Sequence, residues 1–155
     1  MIRPVFFLST LLILMVASCD RQMVYDHYMT TEEGAWGWHD VGVFEVDMAD
    51  TVSLHNIYLQ VRHTVEYPMS NLYMFVLVKG PSGQYMRDTV NMILAAPDGA
   101  WRGSGNGKIR ELHLLYKKQT RFSESGIYTI SLEQAMRKSK LPVTDVGVRI
   151  ERLKQ

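Results

Sequence analysis

"NLYMFVLVKG", residues 71–80, decides the fold class. Its apolar positions run without a break from Leu72 to Val78 and are rich in aromatic and β-branched residues, and "GPSGQ" at 80–84 turns the chain immediately afterwards. A short apolar run of strand-forming residues ended by a turn signal reads as a central strand covered on both faces. A second arm, about Gln84 to Ala95, completes a hairpin with it.

Outward from that hairpin the pattern changes to strict alternation. Phe44, Val46 and Met48 are separated by Glu45 and Asp47, and Ile57, Leu59 and Val61 by Tyr58 and Gln60. Near the C-terminus Val146, Val148 and Ile150 alternate with Gly147 and Arg149. Period two predicts strands with one face buried. "KIRELHLLYKK" (108–118) and "GIYTISLEQAM" (126–136) add two more. Many short strands with turn signals between them predict an all-β chain, an antiparallel β-sandwich of jelly-roll-like type with at most one short helix. The helix candidate is "SLEQAMRKSK" (131–140), which runs into Pro142.

The N-terminus has a different character. Arg3 precedes an apolar stretch, Val5 to Val16, broken only by Ser9 and Thr10. That is a signal-peptide pattern, and at roughly a dozen residues it is shorter than the ~20 needed to span a bilayer as a helix. Val16, Ala17, Ser18 and Cys19 follow, with an aliphatic residue and then two small ones before the chain's single cysteine. This is the lipobox pattern of a bacterial lipoprotein, in which the Cys19 thiol is alkylated by a diacylglycerol and residues 1–18 are removed. Two or three acyl chains anchor far more firmly than one, since each buried methylene contributes about 0.8 kcal/mol. The domain expectation is a lipoprotein signal at 1–18, a lipid-anchored segment at 19–33, either tether or first strand, and one sandwich domain at 34–155. Removing 18 residues from 155 leaves 137, enough for one core. With no second cysteine, packing and not disulfides must hold it.

Charge excludes little but nucleic acid. The precursor is near neutral, at +1, and bulk charge gives no case for a nucleic-acid partner. The distribution is uneven: residues 20–61 hold eight acidic side chains and one basic, and residues 62–155 hold eight acidic and fifteen basic. Early and late strands that pair would neutralise one another. The alternative is a bipolar surface that orients the protein on a partner.

Motifs for chemistry fail on spacing. "GAWRGSGNGK" (99–108) has Arg102 where a phosphate-binding P-loop needs glycine, and Ile109 where it needs Ser or Thr. His27, His39, His55, His63 and His113 lack zinc-ligand spacing, Asp47 and Asp50 lack the density of a calcium loop, and no G-x-S-x-G elbow occurs. No catalytic residue, metal site or cofactor is therefore assigned, apart from the covalent lipid on Cys19. Trp36, Trp38 and Trp101 all stand beside or near glycines in expected loops. They either pack onto the core or offer faces for stacking on sugar rings, and the size of indole favours packing.

The whole chain resembles the gliding-motility lipoprotein family GldH of the Bacteroidota. The resemblance rests on the lipobox, "VYDHY" (24–28), "YPMSNLYMFV" (67–76), "APDGAWRGSGNGKI" (96–109) leading to "LLYKKQTRF" (114–122), "ESGIYTISLEQAMR" (124–137) and "VTDVGVRIER" (143–152). The family's Tyr-Asp start is matched by Tyr25 and Asp26, and its Pro-Asp-Gly-x-Trp loop by Pro97, Asp98, Gly99 and Trp101. The resemblance implies a cell-envelope lipoprotein held to the membrane by its lipid, and with the failed motifs the expectation is a non-catalytic protein. Its partners would be other envelope proteins of the gliding and type IX secretion-associated machinery. The short "DRQ" after Cys19 lacks a dense acidic run, which places the expected address at the outer membrane, facing the periplasm. A glycan-binding sandwich lipoprotein is the alternative, and no small-molecule ligand is indicated.

Overall fold

The computed structural model describes residues 22–154. The signal segment and Cys19 lie outside the described residues. Ten strands form: β1 (Met23–Thr30), β2 (Trp36–Gly37), β3 (Gly42–Met48), β4 (His55–Thr64), β5 (Asn71–Lys79), β6 (Tyr85–Ile93), β7 (Ile109–Thr120), β8 (Gly126–Gln134), β9 (Lys140–Leu141) and β10 (Val143–Arg152). One 3-10 turn, Glu32–Gly34, is the helical element among the described residues. The helix candidate at 131–140 instead continues β8 to Gln134 and turns into β9. Leu132 and Gln134 alternate inward there, and pairing with β3 and β5 satisfies the backbone.

Two four-stranded antiparallel sheets pack face to face, in the orders β1-β10-β4-β7 and β3-β8-β5-β6, and β2 pairs with β9 beside them. Leaving out the two-residue strands, the chain passes back and forth between the sheets in jelly-roll order. Between the layers Phe44, Val46, Leu59, Met74, Ile130 and Val148 meet in the core. Met48, Met74 and Met92 are wholly buried, where their unbranched side chains fill irregular space.

Of the two readings of residues 20–33, the strand is the one the structure takes. Met23–Thr30 is an edge strand along β10 and not a free tether, so the sandwich begins ahead of residue 34. One other expectation needs correction. "NLYMFVLVKG" is an interior strand, but it is covered on one face only: Leu72, Met74 and Val76 are buried, whereas Tyr73 is 41% exposed and Phe75 and Leu77 are half-buried. In a two-layer sandwich each sheet meets the other on its inner face, and no third layer covers the outer one.

The last strand locks the first third of the chain in place. β10 lies between β1 and β4, and Arg149 bonds the Asp26 and Glu151 carboxylates. Arg152 reaches Asp50 at 3.6 Å. Acidic early residues and basic late ones thus face each other across neighbouring strands, while Lys117 and Lys140 fall at opposite ends of the body. At the centre of this sheet a Cβ on Gly147 would stand 2.6 Å from the His27 carbonyl oxygen and 2.9 Å from both Gln60 Oε1 and the Tyr28 ring. Gly147→Val should therefore cost about 1–3 kcal/mol by overpacking, as a lowered midpoint in chemical denaturation. An unchanged midpoint would mean that the β1–β10 seam can yield.

Candidate functional site

The jelly-roll path sorts the connections into two ends. Loops 31–41, 65–70, 94–108 and 135–142 gather at the end away from the start of β1, and 49–54, 80–84 and 121–125 gather at the end where β1 begins and β10 finishes. All three tryptophans fall at the far end, and they have three different environments.

Trp36 is wholly buried, and its indole N–H donates to the Asp40 carbonyl at 2.6 Å. The Asp40 carboxylate in turn accepts from the Gly37 N–H at 2.7 Å, so the segment closes on itself and Trp36 offers no face to a sugar. Trp38 is 48% exposed, with its N–H tied to the Met136 carbonyl at 2.8 Å. Trp101 is half-buried against the core, bridged through its backbone to Ala95, with its ring 4.7 Å from that of His63. Two of the glycines after it, Gly103 and Gly105, serve close backbone approach. With φ of 85° and 144°, Gly103 and Gly105 would place a Cβ within 2.1 and 2.3 Å of the Glu111 and Ile109 carbonyl oxygens. Backbone contact accounts for Gly103 and Gly105, and positive φ of 86° and 64° for Gly99 and Gly107.

Below Trp101 lies a group that the sequence does not advertise. His63 is fully buried between the Trp101 and Tyr67 rings; its Nδ1 is 2.9 Å from the Thr64 carbonyl, and its Nε2 has no partner. His55 occupies the mirror position at the other end of β4, buried beside Phe122 with Nδ1 unpartnered. Alternation along β4 points both rings inward, which is the signal that could have found them. Burial pushes both imidazole pKa values down, because a charged ring loses its water.

A second polar cluster spans the outer face of the β1-β10-β4-β7 sheet. The Tyr28 hydroxyl donates to Glu111, whose carboxylate also lies 2.9 Å from His113 Nε2 and 3.4 Å from Arg62 Nε. The Arg62 guanidinium covers the Tyr28 ring at 4.0 Å. The Tyr28 hydrogen bond, with those from His113 and Arg62, holds the Glu111 pKa down to about 2. Tyr28 moves the other way, raised by burial and by Glu111. Tyr28 on β1, Arg62 on β4 and Glu111 and His113 on β7 are thereby tied together across three strands, and the cluster braces the sheet. Among the described residues no group of three or more His, Cys, Asp or Glu is placed to hold a metal, and no helix is long and apolar enough to cross a membrane.

These features define a class: a small jelly-roll sandwich with a braced polar face and a loop end carrying tryptophans. Residues 23–150 match the model of the GldH lipoprotein family, and the chain belongs to that family. It is 35% identical, over 94% of both chains, to the protein named gliding motility lipoprotein GldH homolog of Christiangramia forsetii. With gliding motility lipoprotein GldH of Flavobacterium johnsoniae it shares 34% identity, over 89% of this chain and 90% of that one. No solved structure matches it. Membership in this family makes the chain a lipid-anchored protein of the cell envelope.

Two measurements check these assignments. Trp36→Ala should destabilise by about 3–5 kcal/mol and Trp101→Ala by roughly 3, whereas Trp38→Ala should cost far less; equal effects at Trp36 and Trp38 would contradict the burial difference. The second concerns pH. With the folded His55 and His63 pKa values below the unfolded value near 6.5, the unfolded chain binds more protons, so their contribution is complete above about pH 6.5 and declines below it. The melting temperature should fall between about pH 7 and pH 5, and His63→Leu should flatten that slope. A melting temperature that rises on acidification would show that the imidazoles are charged in the fold.

Proposed function

We propose that the protein is anchored through Cys19 to the outer membrane, faces the periplasm, and acts as a non-catalytic docking component of the gliding-motility and type IX secretion-associated machinery. The observation that carries this reading is family membership combined with the position of β1. That strand starts at Met23, four residues after Cys19. Four residues reach at most about 14 Å, so the near end of the sandwich rests close to the lipid. The strand then climbs for eight residues, about 25 Å, to the tryptophan-bearing loops. Trp38 and Val41, exposed at 48% and 39%, stand at the end turned away from the membrane, where an envelope protein can reach them.

Mass spectrometry of the N-terminal peptide should find diacylglyceryl on Cys19, and Cys19→Ser should leave an uncleaved precursor without lipid. A free thiol on a soluble mature chain would refute the anchor. Crosslinking of the full-length protein in intact cells, followed by affinity recovery, should return motility or secretion components. Recovery of none of these, with saturable binding to a glycan array that Trp38→Ala abolishes, would replace docking with sugar recognition.

A further inference from the structure

The two outer sheet faces handle charge in opposite ways. On the β1-β10-β4-β7 face, Asp26, Arg149, Glu151, Arg62 and Glu111 are joined in salt bridges. On the β3-β8-β5-β6 face none of the outward charges forms a salt bridge among the described residues, and they are sorted by side. β3 and β8 present Glu45, Asp47 and Glu133 with no cation, and β5 and β6 present Lys79 and Arg87 with no carboxylate. Between and beside them lie apolar groups open to solvent: Val43 at 57%, Ile127 at 55% and Tyr73 at 41%, with Phe75 and Leu77 half-buried. Arg87 rests its guanidinium 4.1 Å over the Phe75 ring.

We propose that this face is the interface of a homodimer, in which a second copy of the chain packs its own β3-β8-β5-β6 face against it about a two-fold axis parallel to the strands, between β8 and β5. Such an axis exchanges left and right and keeps up and down. It sets the acidic β3–β8 half of each copy over the basic β5–β6 half of the other, and brings the two apolar stripes together. It also keeps both N-terminal strands starting at the same end, so both chains can be anchored in one membrane. The other in-plane axis, perpendicular to the strands, fails on both counts: it opposes acid to acid and base to base, and sends the two anchors to opposite ends. Charge and anchor geometry thus select the same symmetry independently, and the result is isologous, as a closed two-fold dimer requires.

The size of the face sets the strength. Four strands about 4.8 Å apart, with seven to nine residues at about 3.4 Å each, give a flat footprint on the order of 450 Å² per copy, below the about 600–1,000 Å² per partner of stable interfaces and in the range of weak, transient ones. The dimer is accordingly weak in dilute solution and is favoured where lipid anchors confine both copies to one surface.

The test uses the full-length protein in its own membranes. Ser131 and Leu77 flank the proposed axis, whereas Leu115 is exposed on the opposite sheet. Ser131→Cys should give a dimer band with a short bis-maleimide, Leu115→Cys should not, and the unsubstituted chain sets the background. Adding Glu45→Lys to Ser131→Cys should lower the yield about tenfold by placing like charges across the interface, and adding Lys79→Glu as well should restore it. Both positions are on the surface, and unchanged melting curves will show that the variants fold. The proposal fails if Ser131→Cys and Leu115→Cys crosslink alike, if charge reversal has no effect, or if the product joins the chain to a protein of different mass. None of these results bears on Cys19, which the mass measurement tests separately.

Discussion

The pairing of β10 with both β1 and β4 is the constraint on which the remaining structure depends. It joins the ten residues of β10 to the first strand and closes the chain into a sandwich, so neither β1 nor β10 can be removed without opening a sheet. The seam is held tightly because Gly147 lets the backbone of β1 and the side chains of Gln60 and Tyr28 crowd over it. Arg149 adds a clamp by binding Asp26 from one strand and Glu151 from its own. Exposed ion pairs contribute little singly, but these side chains are mostly covered, and a shared guanidinium fixes the register of two acidic groups at once.

Closing the sandwich in this way also decides what each end can do. Under the proposed anchoring at Cys19, β1 starts only four residues later and leads straight into the sheet, so the fold would transmit an orientation from the membrane to the far loops. At that far end the indoles divide the work. Trp36 and Trp101 hold loops onto the body, and Trp38 remains open. His55 and His63 close the inner row of β4 at either end, and each leaves one ring nitrogen without a partner. A buried imidazole is stable there only while neutral, which couples both ends of the core to proton concentration.

Much of this was legible from residue order, and the limits have physical causes. The alternation of Val146, Val148 and Ile150 announces β10, because a strand with one buried face must repeat every two residues. β1 is harder to read since, as an edge strand, it is buried only in part, and its useful signal is polar: Asp26, Tyr28 and Thr30 alternate on one face and each finds a partner across the sheet. "GAWGWHD" (34–40) contains two tryptophans in nearly identical local surroundings, yet one is buried and the other open. Local composition cannot separate them, because the difference lies in distant partners, Leu141 for Trp36 and Met136 for Trp38. The lipobox reading at 16–19 rests on residue order alone and lies outside the described residues.

The apolar run at 71–80 misleads in an informative way. Seven consecutive apolar residues in a strand are normally the mark of cover on both sides, and here three of them, Tyr73, Phe75 and Leu77, lie on the uncovered face. An exposed sheet face bearing Tyr73, Phe75 and Leu77 in a small sandwich loses the free energy of burying that area unless something else supplies the second surface. The charge asymmetry of the chain points the same way. Part of it is neutralised internally, where Asp26 and Asp50 meet Arg149 and Arg152. Another set, Glu45, Asp47 and Glu133 against Lys79 and Arg87, stays divided on the face where the apolar stripe lies. A surface that only needed solubility would gain by mixing these signs, since opposite charges on adjacent strands attract. Keeping them apart at that cost makes physical sense when the matching charges are presented by another surface, and a twofold-related copy presents them without any further sequence being needed.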